Sequence, residues 1–404
     1  MLASASDAGI GRAATRLPLV VQAGTFVLIL GVTDGALGVL WPSMRATFHL
    51  PLDDLGVLSV AGTALYFTGG LLANRIRGRL GVGNVLAASC VLALVALVTW
   101  GTAADWPTVL VAVALLGFAK GVVDAAVNAE AAMAGGMRRL GLLHGSWAIG
   151  GMFGPLLVAA VLAWAHDWRA AVVVMAVGAL ALTPLSVLAR RPATPLSAPE
   201  PVDEQAPAPP VPAPPVPVRR FVLLATVTVF VVYAAAENGP IAWGYSYLIL
   251  DRHVSRTLAA LALAMFWAGL TAGRFALAAA GDRFAAALVL ELSCLLVMVG
   301  SGLLWLLPGT LAVIGLPIAG LGAAAVFPVL VALMPRRVGQ ARTGQAVGVS
   351  IAAACFGGPV AVALFGLLAA HLGVGVLGAC IFGAAVLLYV GNRGLSFATG
   401  RWAA

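Results

Sequence analysis

Charge is scarce in this sequence: Asp, Glu, Lys and Arg make up 9% of its 404 residues. A water-soluble domain carries about 25%, so the composition excludes an ordinary globular chain. Cysteine is scarce too. Cys90, Cys294, Cys355 and Cys380 all lie in apolar runs, with no CxxC pair and no histidine at metal-ligand spacing, which excludes a disulfide framework and a zinc site. The formal net charge of +8 comes from basic residues scattered singly or in pairs, not from a continuous phosphate-binding face, so nucleic acid is not a partner. What fills the chain instead is 62% hydrophobic residue, a composition whose solvent is lipid.

Apolar runs long enough to cross about 30 Å of hydrocarbon are predicted near residues 18–42, 55–74, 83–103, 107–133, 141–165 and 168–189. They resume near 221–249, 257–280, 284–306, 310–334, 343–370 and 373–392. The first run is roughly 25 residues, beyond the 7–15 of a signal-peptide core, and is therefore read as a retained span.

Residues 190–220 hold eleven of the chain's 23 prolines and read as a semi-rigid extended tether between the two sets of spans. With the N-terminus inside, arginines 12, 16, 75, 77, 79, 138, 139, 190, 191, 219, 220, 274, 283, 336, 337, 342, 393 and 401 collect on the inner side. Only Arg45, Arg169, Arg252 and Arg256 fall outside, and Lys120 stands within a span. This asymmetry predicts a plasma or inner membrane protein with a cytoplasmic tether and cytoplasmic tails, 1–17 and 393–404.

The two sets repeat. A shift of 203 places Asp34 on Glu237, Thr68 on Thr271, Gly70 on Gly273, Gly78 on Gly281 and Gly117 on Gly320, while Gly154-Pro155 meets Gly358-Pro359 at 204. An even number of spans per repeat makes the copies parallel. The predicted fold is an all-α membrane protein of twelve transmembrane helices in two six-helix pseudo-symmetric halves, 18–189 and 221–392, acting as a monomer in the bilayer.

A charge at mid-bilayer costs about 2.5–3.5 kcal/mol, so each needs a reason. Asp34, Lys120, Asp124 and Glu237 stand deepest, which argues against an enzyme working at the interface. Lys120, Asp124 and Asn128 recur every four residues and share one helix face. Either Asp124 titrates or binds a cation while Asn128 bonds a solute hydroxyl, or Lys120 and Asp124 form a pair that merely joins helices. Asp34 and Glu237 occupy equivalent repeat positions, either as partners around a central site or as caps of broken helices. Trp147, Asn238, Trp243, Tyr247 and Trp267 lie inside spans, and aromatic faces suit sugar rings as well as they fill cores. His144 is a proton sensor or a structural histidine. Trp41, Trp100, Trp106, Trp164, Trp168 and Trp305, at span ends, read as interfacial anchors.

The segments GVTDGALGVLWP (31–42), GFAKGVVDAAVNAE (117–130), LLHGSWAIGGMFGP (142–155), AAAENGPIAWGYSYL (234–248), FWAGLTAGRF (266–275) and GLGAAAVFP (320–328) resemble the fucose-permease-like, sugar-symporter branch of the major facilitator superfamily. That resemblance implies a secondary active transporter, not an enzyme, with no cofactor or metal. It would move a small polar solute, such as a sugar, by alternating access coupled to protons or sodium, with first and seventh helices lining the cavity. An exporter of amphipathic compounds and a non-transporting sensor are the alternatives. The family's fourth span likewise carries an acid four residues before an asparagine, as Asp124 and Asn128 stand here. Two positions depart from it: Asn74 replaces an acid ahead of the arginines, and Gly38 stands where fucose permeases carry the first-span carboxylate. Arg75, Arg77 and Arg79 with Arg274, Asp282 and Arg283 occupy matching inner segments, as gating charges or as topology signals alone.

Overall fold

The computed structural model describes residues 16–134, 136–188, 220–280 and 283–398, with the side chains of 16–19, 130–140, 220 and 341 left out. The N-terminal tail through 15, the proline-rich stretch 189–219, Asp282 and the end of the chain from 399 lie outside the described residues, as do the side chains of Arg138 and Arg139. The described residues contain no strand and hold twelve helices long and apolar enough to cross a membrane. They are α1 (Val20–Phe48), α2 (Asp54–Leu80), α3 (Val82–Gly101), α4 (Trp106–Ala129), α5 (Gly141–Ala165) and α6 (Trp168–Leu188). After residues 189–219 come α7 (Phe221–Leu250), α8 (Arg256–Ala280), α9 (Ala286–Leu306), α10 (Gly309–Ala332), α11 (Arg342–Leu372) and α12 (Val376–Ala398).

Three boundaries differ most from the predicted spans, one of them at the end of the chain, where α12 runs to Ala398 and takes Arg393 out of the predicted tail. Helix α1 continues through Pro42 to Phe48 and stops at His49, whose φ of 54° is left-handed. Pro42 stands inside the helix without ending it, as prolines do in spans whose neighbouring helices take up the freed backbone groups. Helix α2 runs on to Leu80, so Arg75, Arg77 and Arg79 sit on its last turns and not in a loop. Basic groups there face the negative end of the helix dipole, which stabilises the extension. At the start of α4, the Thr108 amide donates to Asp105 Oδ1 at 2.8 Å. That bond holds the exposed Asp105 carboxyl below its ordinary value. A depressed carboxylate contributes above its unfolded range, so this cap is in place at neutral pH and is lost as the pH falls through the folded value.

Contacts gather the described residues into two compact units, one from within 1–193 and 255–268, the other from within 194–254 and 269–404. In the first unit α1 packs on α5, α2 on α4, and α3 on α6 and α4. In the second, α7 packs on α11, and α9 on α10 and α12. The same scheme of pairings therefore serves both sets. Helix α1 is central to its unit, with 67% of its apolar window buried against 22% for α2. Of the tryptophans at span ends, Trp164 is 85% exposed, whereas Trp41, Trp100 and Trp168 are buried and pack helix ends together.

Close approach at the α1–α5 and α2–α4 crossings depends on glycine. A Cβ on Gly35 would run into the Gly151 carbonyl, and one on Gly150 into the Val27 carbonyl. Across α2 and α4, a Cβ on Gly121 would meet the Tyr66 carbonyl and one on Gly117 the Gly62 carbonyl. The colliding atoms are backbone, so whole helices would have to separate. Gly35→Leu is expected to cost about 3 kcal/mol and to lower the thermal unfolding midpoint in detergent, while Gly78→Leu, with open space around it, leaves the midpoint near that of the wild type.

Candidate functional site

The residues Phe26–Val32 of α1 wind as a π-helix, and that wide turn ends directly at Thr33 and Asp34. Such turns interrupt the regular ladder and recur at functional sites. The Thr33 hydroxyl is shared between the carbonyls of Ile29 (2.5 Å) and Leu30 (3.1 Å), which re-forms the helix past the wide turn. Asp34 then faces two other helices. Its Oδ1 accepts from Lys120 Nζ of α4, and its Oδ2 accepts from Trp147 Nε1 of α5 at 2.9 Å. Lys120 Nζ also lies 3.2 Å from Thr33 Oγ1. The lysine side chain is 14% exposed and the aspartate 35%, so the pair is mostly desolvated. Both carboxylate oxygens are hydrogen-bonded, and through them Asp34 joins α1, α4 and α5.

This arrangement corrects the pairing considered from the α4 repeat: Lys120 engages Asp34, not Asp124. A lysine preceding an acid by four residues is the less favourable order on a helix, because its ammonium is set against the dipole. Across the crossing, α1 presents to Lys120 both the Asp34 carboxylate and Thr33 Oγ1.

One turn along α4, Asp124 has different company. Tyr66 of α2 donates its hydroxyl to Asp124 Oδ2 at 2.5 Å, and Asn128 Nδ2 donates to Asp124 Oδ1 at 2.9 Å. His144 of α5 and Asp34 are within electrostatic range, but no lysine or arginine bonds it among the described residues. Asn128 Oδ1 is buried and bonded to nothing among the described residues. A buried carbonyl oxygen without a donor costs about 1–3 kcal/mol, so it stands as an open acceptor. His144 itself is exposed, and its ring meets Phe26 edge-on at 6.2 Å.

Trp147 carries the network further. Its indole meets that of Trp267 in α8 nearly at a right angle, centroids 5.0 Å apart. Trp267 is 1% exposed, and its ring covers Gly151 so closely that a Cβ there would enter it. Trp147, by contrast, keeps part of its surface open while its N–H is held by Asp34.

In the second unit, Glu237 Oε1 accepts from the Tyr233 hydroxyl at 2.7 Å, one turn earlier on α7. Arg274 of α8 lies within electrostatic range of both groups. Glu237 thus has a basic neighbour, as Asp34 does, but from a helix other than the fourth of its set. Neither acid caps a helix break: α7 runs unbroken past Glu237, and the Asp34 oxygens go to side chains. Asn238 Nδ2 is spent on the Ala234 carbonyl at 2.8 Å. Trp243 is fully enclosed and donates to the Val362 carbonyl at 3.0 Å. Tyr247 is also fully enclosed, beside Gly378 and beneath the Arg252 guanidinium at 5.1 Å. Trp243 and Tyr247 are thus enclosed by protein in this arrangement.

Arg75 and Arg79 are exposed and Arg77 is half-buried, with no acid bonded to any of them among the described residues. Arg283 is exposed. Sequence reading missed Tyr66 and Thr33, which complete the network, and Tyr233, which holds Glu237. The glycines on either side of Tyr66, Gly62 and Gly69, were the available signal, since they bring α2 against α4 at the level of Asp124.

A family model described as Major Facilitator Superfamily matches residues 24–362. Among solved structures, the chain is similar to a bacterial homolog of the human lysosomal transporter Spinster, at 14% identity over 96% of this chain and 98% of that one, TM-score 0.68. It is similar to the nucleoside transporter NupG at 12% identity over 94% and 100%, TM-score 0.76. It is also similar to a D-xylose-proton symporter at 15% identity over 92% and 97%, TM-score 0.69. Identities this low speak to the fold alone. No curated protein sequence matches the chain significantly.

Proposed function

Because the chain belongs to the major facilitator superfamily and is a multi-pass membrane transporter, not an enzyme, we propose that it carries a small polar, hydroxyl-bearing solute of the sugar or nucleoside kind, coupled to protons. The observation that carries this reading is the division of labour between two acids in the first unit. Asp34 is bound at both oxygens by Lys120 and Trp147, whereas Asp124 is held by the neutral donors Tyr66 and Asn128. An acid with a fixed cation keeps its charge. An acid held by neutral donors in a medium of low dielectric exchanges a proton at smaller electrostatic cost, and a coupling group must do that once per cycle. In this account Asp34 and Lys120 set the scaffold, Asp124 takes and releases the proton, and Tyr66 and Asn128 sense which form it is in. Glu237, with Arg274 beside it, is the scaffold acid of the second unit.

The solute meets the half-open face of Trp147 and the unpaired Asn128 Oδ1. An indole face suits the C–H surface of a sugar ring, and a buried carboxamide oxygen suits a hydroxyl donor. Neutral polyols and nucleosides bring those donors without a second charge to bury. The D-xylose-proton symporter and NupG, similar in fold, are transporters of these two kinds of solute by their names.

The test is uptake of labelled pentoses, hexoses and nucleosides into vesicles containing the purified chain, with and without an inward proton gradient. Accumulation of at least one of them only with the gradient is expected. Uptake that follows sodium and ignores pH would reject proton coupling. Asn128→Ala is expected to weaken solute binding about tenfold, the worth of one buried hydrogen bond, as read by competition with the labelled solute.

A further inference from the structure

A groove of about 450 Å³ runs along the outer face of α3, lined by Leu80 at the end of α2 and then by Asn84, Ala87, Ala88, Val91 and Val95 of α3. These α3 residues recur at three- and four-residue steps, so they form one stripe, and the small side chains of Ala87 and Ala88 make the dent. From Asn84 to Val95 the stripe is about 16 Å long at 1.5 Å per residue. That is about half the hydrocarbon thickness of a bilayer, the depth of one leaflet.

The helix turns that lead into the Leu80 end of the groove carry Arg75, Arg77 and Arg79. Arg75 and Arg79 lie one turn apart on the same face of α2, both exposed, and no acid among the described residues bonds either of them. Arg77 lies between them in sequence with its Nε buried and bonded to nothing among the described residues. No Asp or Glu occurs in the chain between Asp54 and Asp105. The start of α3 adds a second donor set: its cap, Gly81, offers no side chain, and no side-chain oxygen caps its first amides among the described residues. The first amides of α3 therefore keep their hydrogens for another acceptor.

We infer that this face binds an anionic phospholipid, its phosphate held by Arg75, Arg79 and the first turn of α3, and one acyl chain lying in the Ala87–Ala88 groove. Each part of the ligand answers a separate observation. Guanidinium groups with no acid bonded to them among the described residues, close in sequence to a helix N-terminus, suit a phosphate, and guanidinium matches phosphate oxygens in bidentate geometry. An apolar groove one leaflet deep, beginning at that point, wants the chain attached to it. A soluble phosphate would leave the groove without a purpose, and a zwitterionic lipid would bring its own cation against the arginines. The inference is independent of which solute is carried.

The test is lipid retention by the full chain, purified in detergent and exchanged with phosphatidylglycerol or phosphatidylcholine, measured by native mass spectrometry. A preference for phosphatidylglycerol on the order of tenfold is expected, since each juxtamembrane arginine adds a favourable increment toward anionic lipid. Arg75→Gln with Arg79→Gln removes the headgroup contacts, and Ala88→Phe fills the groove from an exposed position without entering the core. Each should bring the preference below about twofold, while the unfolding midpoint without added lipid stays at the wild-type value. Equal retention of both lipids by the wild type would overturn the inference. So would a preference that survives both variants, or one abolished by millimolar inorganic phosphate in the wild type, which would assign the arginines to a free anion.

Discussion

Lys120→Met is expected to destabilise the protein by on the order of 3 kcal/mol. Removing one partner of a buried pair strands the other as an uncompensated charge, a loss of about 3–5 kcal/mol, and the 35% exposure of the Asp34 side chain puts this pair at the low end. The double variant Asp34→Asn with Lys120→Met should recover most of that loss. With both charges gone, the asparagine can still accept from Trp147, and the methionine fills the lysine's space. Thermal unfolding of the wild type, the two single variants and the double variant in one detergent makes the cycle. Losses that simply add would mean that Asp34 and Lys120 are not energetically paired.

Asp124→Asn is expected to abolish concentrative uptake while leaving solute exchange within about twofold of the wild type. One proton moving down 100 mV supplies about 2.3 kcal/mol, which sustains a solute gradient of about fifty-fold. The variant can neither gain nor lose a proton at that position, so its gradient should fall to about one. Its amide keeps the size of the carboxylate, and its oxygen can still accept the Tyr66 hydroxyl. Exchange needs only binding and the movement of the loaded carrier, so it persists. Tyr66→Phe removes a donor to Asp124 without removing the acid, and should shift the pH profile of uptake and leave its maximum accumulation in place.

The spans were legible because length and apolar composition settle which segments can live in lipid. Their ends were less so. Pro42 reads as a stop in sequence, yet α1 passes it, since a proline inside a span is accommodated by the helices packed around it. The π-helical turn before Asp34 has no sequence signature at all. Within the site, the periodicity of α4 placed Lys120, Asp124 and Asn128 on one face, which is a local property of a helix. The partners of these residues were not local. Lys120 reaches Asp34 and Asp124 reaches Tyr66, across 86 and 58 positions of sequence, and no spacing rule connects them. What the sequence does carry is the set of glycines that let the helices meet: Gly35 facing Gly151, and Gly121 facing the Tyr66 backbone. Read as contacts, they pair α1 with α5 and α2 with α4, and those pairings bring the scattered polar residues together. Trp243 and Tyr247 show the reverse case, where an aromatic inside a span has no pattern to distinguish cavity from core, and the structure encloses both.

The central claim is that Asp124 carries the proton that moves with the solute. Proton movement itself can be followed: vesicles containing the purified chain, in weakly buffered medium with no imposed gradient, receive a transported sugar or nucleoside while an external pH electrode records. Solute entering down its gradient should draw protons in with it and make the medium more alkaline with the wild type, whereas Asp124→Asn admits the solute with no change in pH. Alkalinisation of equal size with Asp124→Asn, or solute entry into wild-type vesicles with no proton movement, would contradict the account.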